Sequence, residues 1–387
     1  MKLIQQMPYL KAEGAFEVLS RAEKLARTGK TVINLGIGQP DFPTPPHIVD
    51  AACKALKDGH HGYTPANGIL PLREAVSEHI YEYRNVSIDP DKILIVPGGK
   101  VTIFFAITMF GEPGAEIMYP DPGFPIYESM IGFSGATPVP IQLYEERGFS
   151  FRADEVLDKI TPMTRLIIIN SPANPTGGVI PREEIERLVA GLGAFPDVAI
   201  LSDEIYSRML YDDQDHISLL DFESIRERLI LLDGWSKTYA MTGWRIGYSV
   251  WPQKLFSHAE KLAINDHSCV NAATQWAAIA ALRGSQNHVN KMMSAFNERR
   301  LFLTKALNEI PGFHCIKPLG AFYAFPNIQK TGVSAVDLQN RFLDRAGVAT
   351  IAGSNFGSQG EGYIRFSYAN SIDNIREAIS RIKKELS

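Results

Sequence analysis

The feature of this 387-residue sequence that most limits its fold is a series of short apolar runs separated by helical segments. Such runs are typical of strands buried on both faces of a sheet. We predict six strands, at Ile93–Val96, Glu116–Tyr119, Leu166–Ile169, Val198–Leu201, Leu229–Leu232 and Ile246–Val250. Helices are predicted between several of them, for example Val101–Met109 and Arg182–Leu192. The pattern predicts an α/β fold of three layers, with helices on both faces of a mostly parallel sheet.

The pattern changes near residue 286, and this change predicts a second domain. One long helix is predicted over 286–309, and shorter apolar segments with two further helices follow it. We predict a large domain over 45–285. A smaller α+β domain would combine the N-terminal segment 1–44 with residues 286–387.

Composition excludes several functional classes. The net charge of −4 provides no basic surface for nucleic acid. The three cysteines are far apart in sequence, which favours a reducing compartment and argues against a disulfide framework or a zinc site. The histidines show no metal-ligand spacing. Neither a signal peptide nor a membrane span of about 18 apolar residues is present, so we predict a cytoplasmic protein without a metal.

Polar residues follow the predicted strands at the point where each strand ends. Gly99 and Lys100 follow the first strand and Asn174 follows the third, while Asp203 and Tyr206 follow the fourth. Ser236 and Lys237 follow the fifth strand, after a predicted turn at Asp233-Gly234. In sheets of this kind the ligand lies at the carboxyl ends of the strands. We therefore expect these side chains to meet at one edge of the sheet.

Lys237 suits an amine nucleophile that lies beside a bound phosphate. A hydroxyl, Ser236, precedes it, and Arg245 follows in a glycine-bracketed segment. Lysine amines form Schiff bases with carbonyls, and the carbonyl cofactor that carries a phosphate is pyridoxal phosphate. The alternative is a solvated surface lysine.

The Gly99-Lys100 pair and Arg245 are candidates for holding that phosphate. Glycines that open a helix expose backbone N–H groups to an anion, and an arginine offers a two-pronged contact. A plain tight turn and a surface ion pair are the alternatives. A nucleotide site is not supported, because Val101 stands where a Walker loop has Ser or Thr, and the earlier segment Gly36-x-Gly38 lacks the third glycine of a dinucleotide motif.

Four further residues suit the remaining parts of such a site. Asp203 would keep a pyridinium ring protonated, and Tyr206 and Asn174 would hydrogen-bond its phenolate oxygen. The alternatives are a helix cap, a core tyrosine and a turn asparagine. Arg365 is a lone charge in an apolar β-like run, so it needs an anion, either a substrate carboxylate or an internal Asp or Glu.

Taken together, these motifs resemble the class I/II aminotransferases, pyridoxal-phosphate enzymes of fold type I, and in particular their bacterial aspartate-aminotransferase-like branch. The resemblance covers nearly the whole chain. Its motifs, in the order of the family, are NLGIGQPDF, YTPANGILPLREA, PGGK, SPANPTGG, SDEIY, SKTYAMTGWRIGY and YIRFSYA.

The resemblance implies a role for each matching residue. Lys237 would hold pyridoxal phosphate as the internal aldimine, Asp203 would pair with the ring nitrogen, and Phe124 would stack on the ring. The phenolic oxygen would be bound by Asn174 and Tyr206, and the phosphate by Gly99, Lys100, Ser236 and Arg245. Arg365, Asn174 and the Gly38 backbone would bind the substrate α-carboxylate. Tyr63 would reach the phosphate of the partner subunit in a homodimer.

The implied reaction moves an amino group from an L-amino acid of the aspartate/glutamate, alanine or aromatic type to a 2-oxo acid. Phe124 departs from the Trp or Tyr of aspartate-specific relatives, and no second arginine or lysine can be assigned to a side-chain carboxylate. Two alternatives remain, a C–S (β-) lyase of the same fold and a non-catalytic protein that binds pyridoxal phosphate.

Overall fold

The computed structural model describes residues 1–387. The helices are α1 Gly14–Arg27, α2 Pro46–Lys57, α3 Leu70–Arg84, α4 Lys100–Phe110, α5 Ile126–Ser134, α6 Ala153–Asp158, α7 Arg182–Gly191, α8 Gln253–Asp266, α9 Ala272–Arg283, α10 Asn287–Asn308, α11 Ala335–Arg341 and α12 Ile372–Leu386. The strands are β1 Ile33–Asn34, β2 Ile93–Val96, β3 Glu116–Asp121, β4 Thr137–Gln142, β5 Thr164–Asn170, β6 Ala199–Asp203, β7 Leu229–Gly234, β8 Gly247–Val250, β9 Tyr323–Ala324, β10 Val348–Ala349, β11 Ile351–Ala352 and β12 Ile364–Ser367. None of the helices is both long and apolar enough to cross a membrane.

A seven-stranded sheet forms the centre of the molecule and confirms the predicted α/β class. Its strand order is β2-β8-β7-β6-β5-β3-β4. Strands β3 to β7 pair in parallel, whereas β8 is antiparallel to both β7 and β2. All six predicted strands are present. The direction of β8 was not predicted, because an apolar run indicates burial and not the direction of the chain.

Helices cover both faces of this sheet, which explains the continuous apolar runs. Along β5, Ile167 belongs to the hydrophobic cluster on one face and Ile168 to the cluster on the other. Because successive side chains of a strand point to opposite faces, both positions must be apolar when both faces are covered. β4 was not predicted. It contains two prolines and lies at the sheet edge, where a missing N–H costs little.

The C-terminal part forms a separate hydrophobic cluster around smaller sheets. β12 lies between β11 and β9 in an antiparallel three-stranded sheet, and α10 and α12 pack on each other. The N-terminal strand β1 joins this part by pairing in parallel with β10. The division into a large domain at 45–285 and a small domain at 1–44 and 286–387 stays a prediction.

The predicted turn at Asp233-Gly234 was wrong, because β7 continues through both residues. Asp233 is a buried part of the strand and has polar partners there. It accepts a hydrogen bond of 2.8 Å from Ser207, and its carboxylate lies 3.7 Å from the guanidinium of Arg84. These partners allow an acidic residue inside the sheet, where an unpaired one would be costly.

Candidate active site

A cavity of about 500 Å³ opens at the carboxyl ends of the central strands. Eleven of the twelve predicted site residues line it: Gly38, Gly99, Lys100, Phe124, Asn174, Asp203, Tyr206, Ser236, Lys237, Arg245 and Arg365. The twelfth, Tyr63, does not line this cavity, and its side chain is 95% exposed. The structure thus brings together residues that are spread over most of the chain.

Lys237 follows β7 and points its amine into the cavity. Its Nζ donates a hydrogen bond of 2.6 Å to the carbonyl oxygen of Gly38. Burial, together with the positive charges of Arg365 and Arg245, lowers the pKa of Lys237 to about 8. The amine is therefore partly neutral near neutral pH, as a nucleophile or base must be.

Asp203, the last residue of β6, is a buried carboxyl that forms no ion pair. Tyr127 donates a hydrogen bond of 2.7 Å to its Oδ2, and the backbone N–H of Ile205 donates to its Oδ1 at 3.3 Å. Burial raises the pKa of Asp203 to about 6 despite these two donors. A cationic N–H in the cavity would offset this desolvation.

The cavity has a wall with anion-binding properties where β2 meets α4. Gly98 has φ +92°, and a Cβ on this glycine would meet the guanidinium of Arg245 at 2.1 Å. Glycine thus lets Arg245, which forms no ion pair, lie against the start of α4. The N-terminus of this 11-residue helix, at Gly99 and Lys100, points backbone N–H groups to the same place.

A second cationic group, Arg365, lies on β12 and also lines the cavity. It donates a hydrogen bond of 2.9 Å to Oδ1 of Asn174 and another to the carbonyl of Gly36. Its Nε is buried without a hydrogen-bond partner. No Asp or Glu pairs with Arg365, so the internal-carboxylate alternative does not hold, and a bound anion would satisfy the free donor.

Three residues of this cavity were missed by the sequence analysis. Tyr323 hydrogen-bonds the hydroxyl of Tyr206 at 2.8 Å, and its ring lies 4.6 Å from the guanidinium of Arg365. Tyr127 contacts Asp203, and Glu13 forms an ion pair with Lys100. A tyrosine in an apolar run predicts only a core residue. No local signal links Glu13 with Lys100, because they are 87 positions apart.

The arrangement combines an amine of lowered pKa, a buried acid without a counter-ion and two separate cationic walls. The family model "Aminotransferase class I and II" matches residues 30–382. The chain belongs to this family of aminotransferases.

Known aminotransferases are similar in sequence to this aminotransferase over nearly its full length. It is 37% identical to an aspartate/prephenate aminotransferase of Nitrosomonas europaea, with 100% of both chains covered. It is 38% identical to aromatic-amino-acid aminotransferase 2 of Thermococcus litoralis, over 94% of this chain and 93% of the relative. The solved structure of the Thermus thermophilus aspartate aminotransferase with maleate matches at a TM-score of 0.94 and 32% identity, covering 100% of both chains.

Aminotransferases of this fold use pyridoxal phosphate, and the residues of this aminotransferase fit that cofactor. Arg245 donates only to the backbone carbonyls of Thr242 and Pro97 and forms no ion pair, so it and the N–H groups at the start of α4 suit a phosphate. Asp203 suits the ring nitrogen because its buried carboxyl forms no ion pair, so that its pKa stays raised even with the charge of Lys237 nearby. Lys237 lines the same cavity and supplies the amine that a Schiff base requires.

Proposed function

We propose that this aminotransferase binds pyridoxal phosphate covalently through Lys237 and moves amino groups between L-amino acids and 2-oxo acids. The observation that carries the proposal is that Lys237 and Asp203 line the same cavity. Lys237 is an amine of lowered pKa, and Asp203 is a buried acid that forms no ion pair. When bound, the cofactor supplies an electron sink for the bonds around the amino-acid α-carbon.

Residues at the edge of the central sheet and at the start of α4 would hold the cofactor. Asp203 would bind the ring nitrogen, Asn174 and Tyr206 the phenolic oxygen, and Phe124 the ring face. The phosphate would be bound by Arg245, Ser236 and the backbone N–H groups of Gly99 and Lys100. We assign the phosphate to backbone groups at Lys100 because the side chain of Lys100 is paired with Glu13.

The substrate α-carboxylate would bind Arg365, together with Asn174 and the backbone at Gly38. Arg365 supports this role because it is buried, makes no ion pair and has an unpartnered Nε. Its hydrogen bond to Asn174 fixes the guanidinium on one side. A second hydrogen bond goes to the carbonyl of Gly36, and the N–H groups that these two bonds leave free would be available to a carboxylate.

Lys237 would also move the proton during transfer. When its amine is free, Lys237 would accept the proton from the substrate α-carbon and would later release a proton in the same cavity. Burial favours the neutral form, since it lowers the pKa to about 8.

The homodimer is part of the same proposal. Tyr63 of the partner subunit would contact the phosphate, and the high exposure of Tyr63 in the single chain is consistent with a role in another subunit's site. The cytoplasmic location stays a prediction from the sequence.

The two alternatives are less well supported. The relatives named above are aminotransferases, which favours transfer over β-elimination by a C–S lyase. The presence of Lys237, Asp203, Arg245 and Arg365 in one cavity argues against a non-catalytic protein that merely binds the cofactor.

The decisive experiment is an absorbance titration of the purified holoenzyme with single amino acids. Loss of the cofactor band on adding a donor, and its return on adding a 2-oxo acid, would establish transfer. A persistent band with accumulation of ammonia and pyruvate would instead establish a lyase. Absence of any cofactor band after incubation with pyridoxal phosphate would overturn the proposal.

A further inference from the structure

Glu13 and Lys100 form an ion pair, and both residues line the cavity. Glu13 immediately precedes helix α1, and Lys100 begins α4, so two distant segments of the chain meet here. The ammonium of Lys100 also lies 5.3 Å from the centre of the Phe124 ring. The side chain of Glu13 is only 19% exposed, which makes the pair part of the cavity wall.

This pair leaves the cavity without a free cation for a second carboxylate. Four cationic side chains line the cavity: Lys100, Lys237, Arg245 and Arg365. Three of them have proposed roles in binding the cofactor or the α-carboxylate. The fourth, Lys100, is neutralised by Glu13.

Glu13 also opposes a second carboxylate directly. Burial lowers the pKa of Arg365, and the negative charge of Glu13 opposes that shift, so the field of Glu13 extends to the proposed α-carboxylate site. A donor with an acidic side chain would bring another negative charge near Glu13. It would then have to break the ion pair or bear the repulsion.

Apolar residues also line the cavity. Phe124 lies next to Lys100, and Ala15 and Phe16 follow Glu13 in the chain, while Ile37 comes from the segment after β1. With the α-carboxylate at Arg365 and the amino group directed to the cofactor, the side chain of the donor would contact these residues. Apolar side chains gain by burial against such residues.

We propose that the Glu13–Lys100 pair selects amino donors with neutral, apolar side chains and excludes dicarboxylic donors. The proposal rests on the function proposed above. The relatives carry names for both kinds of donor, so the comparisons do not decide between them.

The test compares donors in the half-reaction of the holoenzyme. The wild type should show a higher kcat/KM for phenylalanine than for aspartate. Glu13→Gln keeps the size of the side chain, removes its charge and frees Lys100. It should raise the aspartate-to-phenylalanine ratio of kcat/KM about tenfold or more. Glu17→Gln, an exposed position on the same helix, is the matched control and should leave the ratio unchanged.

A double variant and a binding measurement make the result specific. In Glu13→Gln/Lys100→Met the freed ammonium is gone, so the gain for aspartate should disappear. Calorimetry should show that the wild-type holoenzyme binds 3-phenylpropionate more tightly than succinate, and that Glu13→Gln narrows this difference. Both analogues lack an amino group, so this readout does not depend on turnover.

The outcomes separate this proposal from the proposed function. A wild type that prefers aspartate, or a Glu13→Gln variant with an unchanged donor ratio and unchanged affinity for succinate, would overturn the specificity proposal alone. Failure of every donor to change the cofactor band would overturn the proposed function.

Discussion

The hydroxyl of Tyr127 donates a 2.7 Å hydrogen bond to Asp203, and no cation of the protein lies in contact with this acid. Asp203 is 4% exposed, so its ionised form has lost most of its hydration. Burial accordingly raises its pKa to about 6. The free-energy cost of this buried charge in the apoprotein indicates a site that is adapted to bind a cationic ligand.

Asp203→Asn should therefore stabilise the apoprotein while reducing activity. The pKa of Asp203 is higher in the folded protein than in the unfolded chain, so its ionisation lowers the free energy of unfolding as the pH rises from about 4 to about 6. Above pH 6 this cost stays constant. The variant should gain about 1–3 kcal/mol in free energy of unfolding above pH 6 and close to nothing near pH 4. Its activity should fall at least about a hundredfold.

Urea unfolding of the cofactor-free protein at pH 4, 6 and 8 measures this effect. Asp154→Asn, at an exposed position in the first turn of α6, is the control and should show no such pH dependence. Equal stability of Asp203→Asn and wild type at pH 8 would contradict the argument.

Covalent capture of the cofactor by the apoprotein should depend on pH through Lys237. The neutral amine is the nucleophile, and the lowered pKa of about 8 sets the pH at which it forms. The capture rate should rise about tenfold per pH unit below 8 and level off above it. Stopped-flow absorbance provides the rate. Arg365→Met should move the midpoint to higher pH, since one positive neighbour is removed, and Lys237→Ala should show no covalent capture at any pH.

The sequence predicted the central sheet and the composition of the cavity for one physical reason. A strand covered on both faces must be apolar, so its polar residues are displaced to its end, as Asp203 and Lys237 are. Strand direction was not predictable, because β8 is as apolar as its parallel neighbours. The pairing of Glu13 with Lys100 was not predictable either, since it depends on how the segment before α1 meets the start of α4.

Arg365→Lys should weaken the binding of amino donors far more than it slows the reaction of the bound substrate. Lysine keeps the charge, but it lacks the planar fork that binds a carboxylate through two hydrogen bonds. We expect KM for every amino donor to rise about tenfold to about 150-fold, which is the effect of losing charged hydrogen bonds worth about 1.5–3 kcal/mol. Steady-state kinetics with two donors checks this. A change in kcat with constant KM would contradict the assignment of Arg365 to the substrate carboxylate.

Tyr63→Phe should lower the affinity for pyridoxal phosphate without changing the stability of the chain. The side chain is 95% exposed in the single subunit, so removing its hydroxyl breaks no internal contact. Loss of one hydrogen bond to a charged phosphate corresponds to an increase in Kd of about tenfold or more. Equilibrium dialysis gives this Kd, and Tyr81→Phe, at another exposed tyrosine, is the control.

Mixed dimers can show whether Tyr63 acts in the other subunit. When a Lys237→Ala chain is combined with a Tyr63→Phe chain, action across the interface leaves one site with both Lys237 and a tyrosine hydroxyl. That site should bind the cofactor with wild-type affinity. If Tyr63 acted within its own chain, the only site with Lys237 would lack the hydroxyl and would bind as weakly as the Tyr63→Phe homodimer. The cofactor affinity of the purified mixed dimer therefore distinguishes a shared site from a self-contained one.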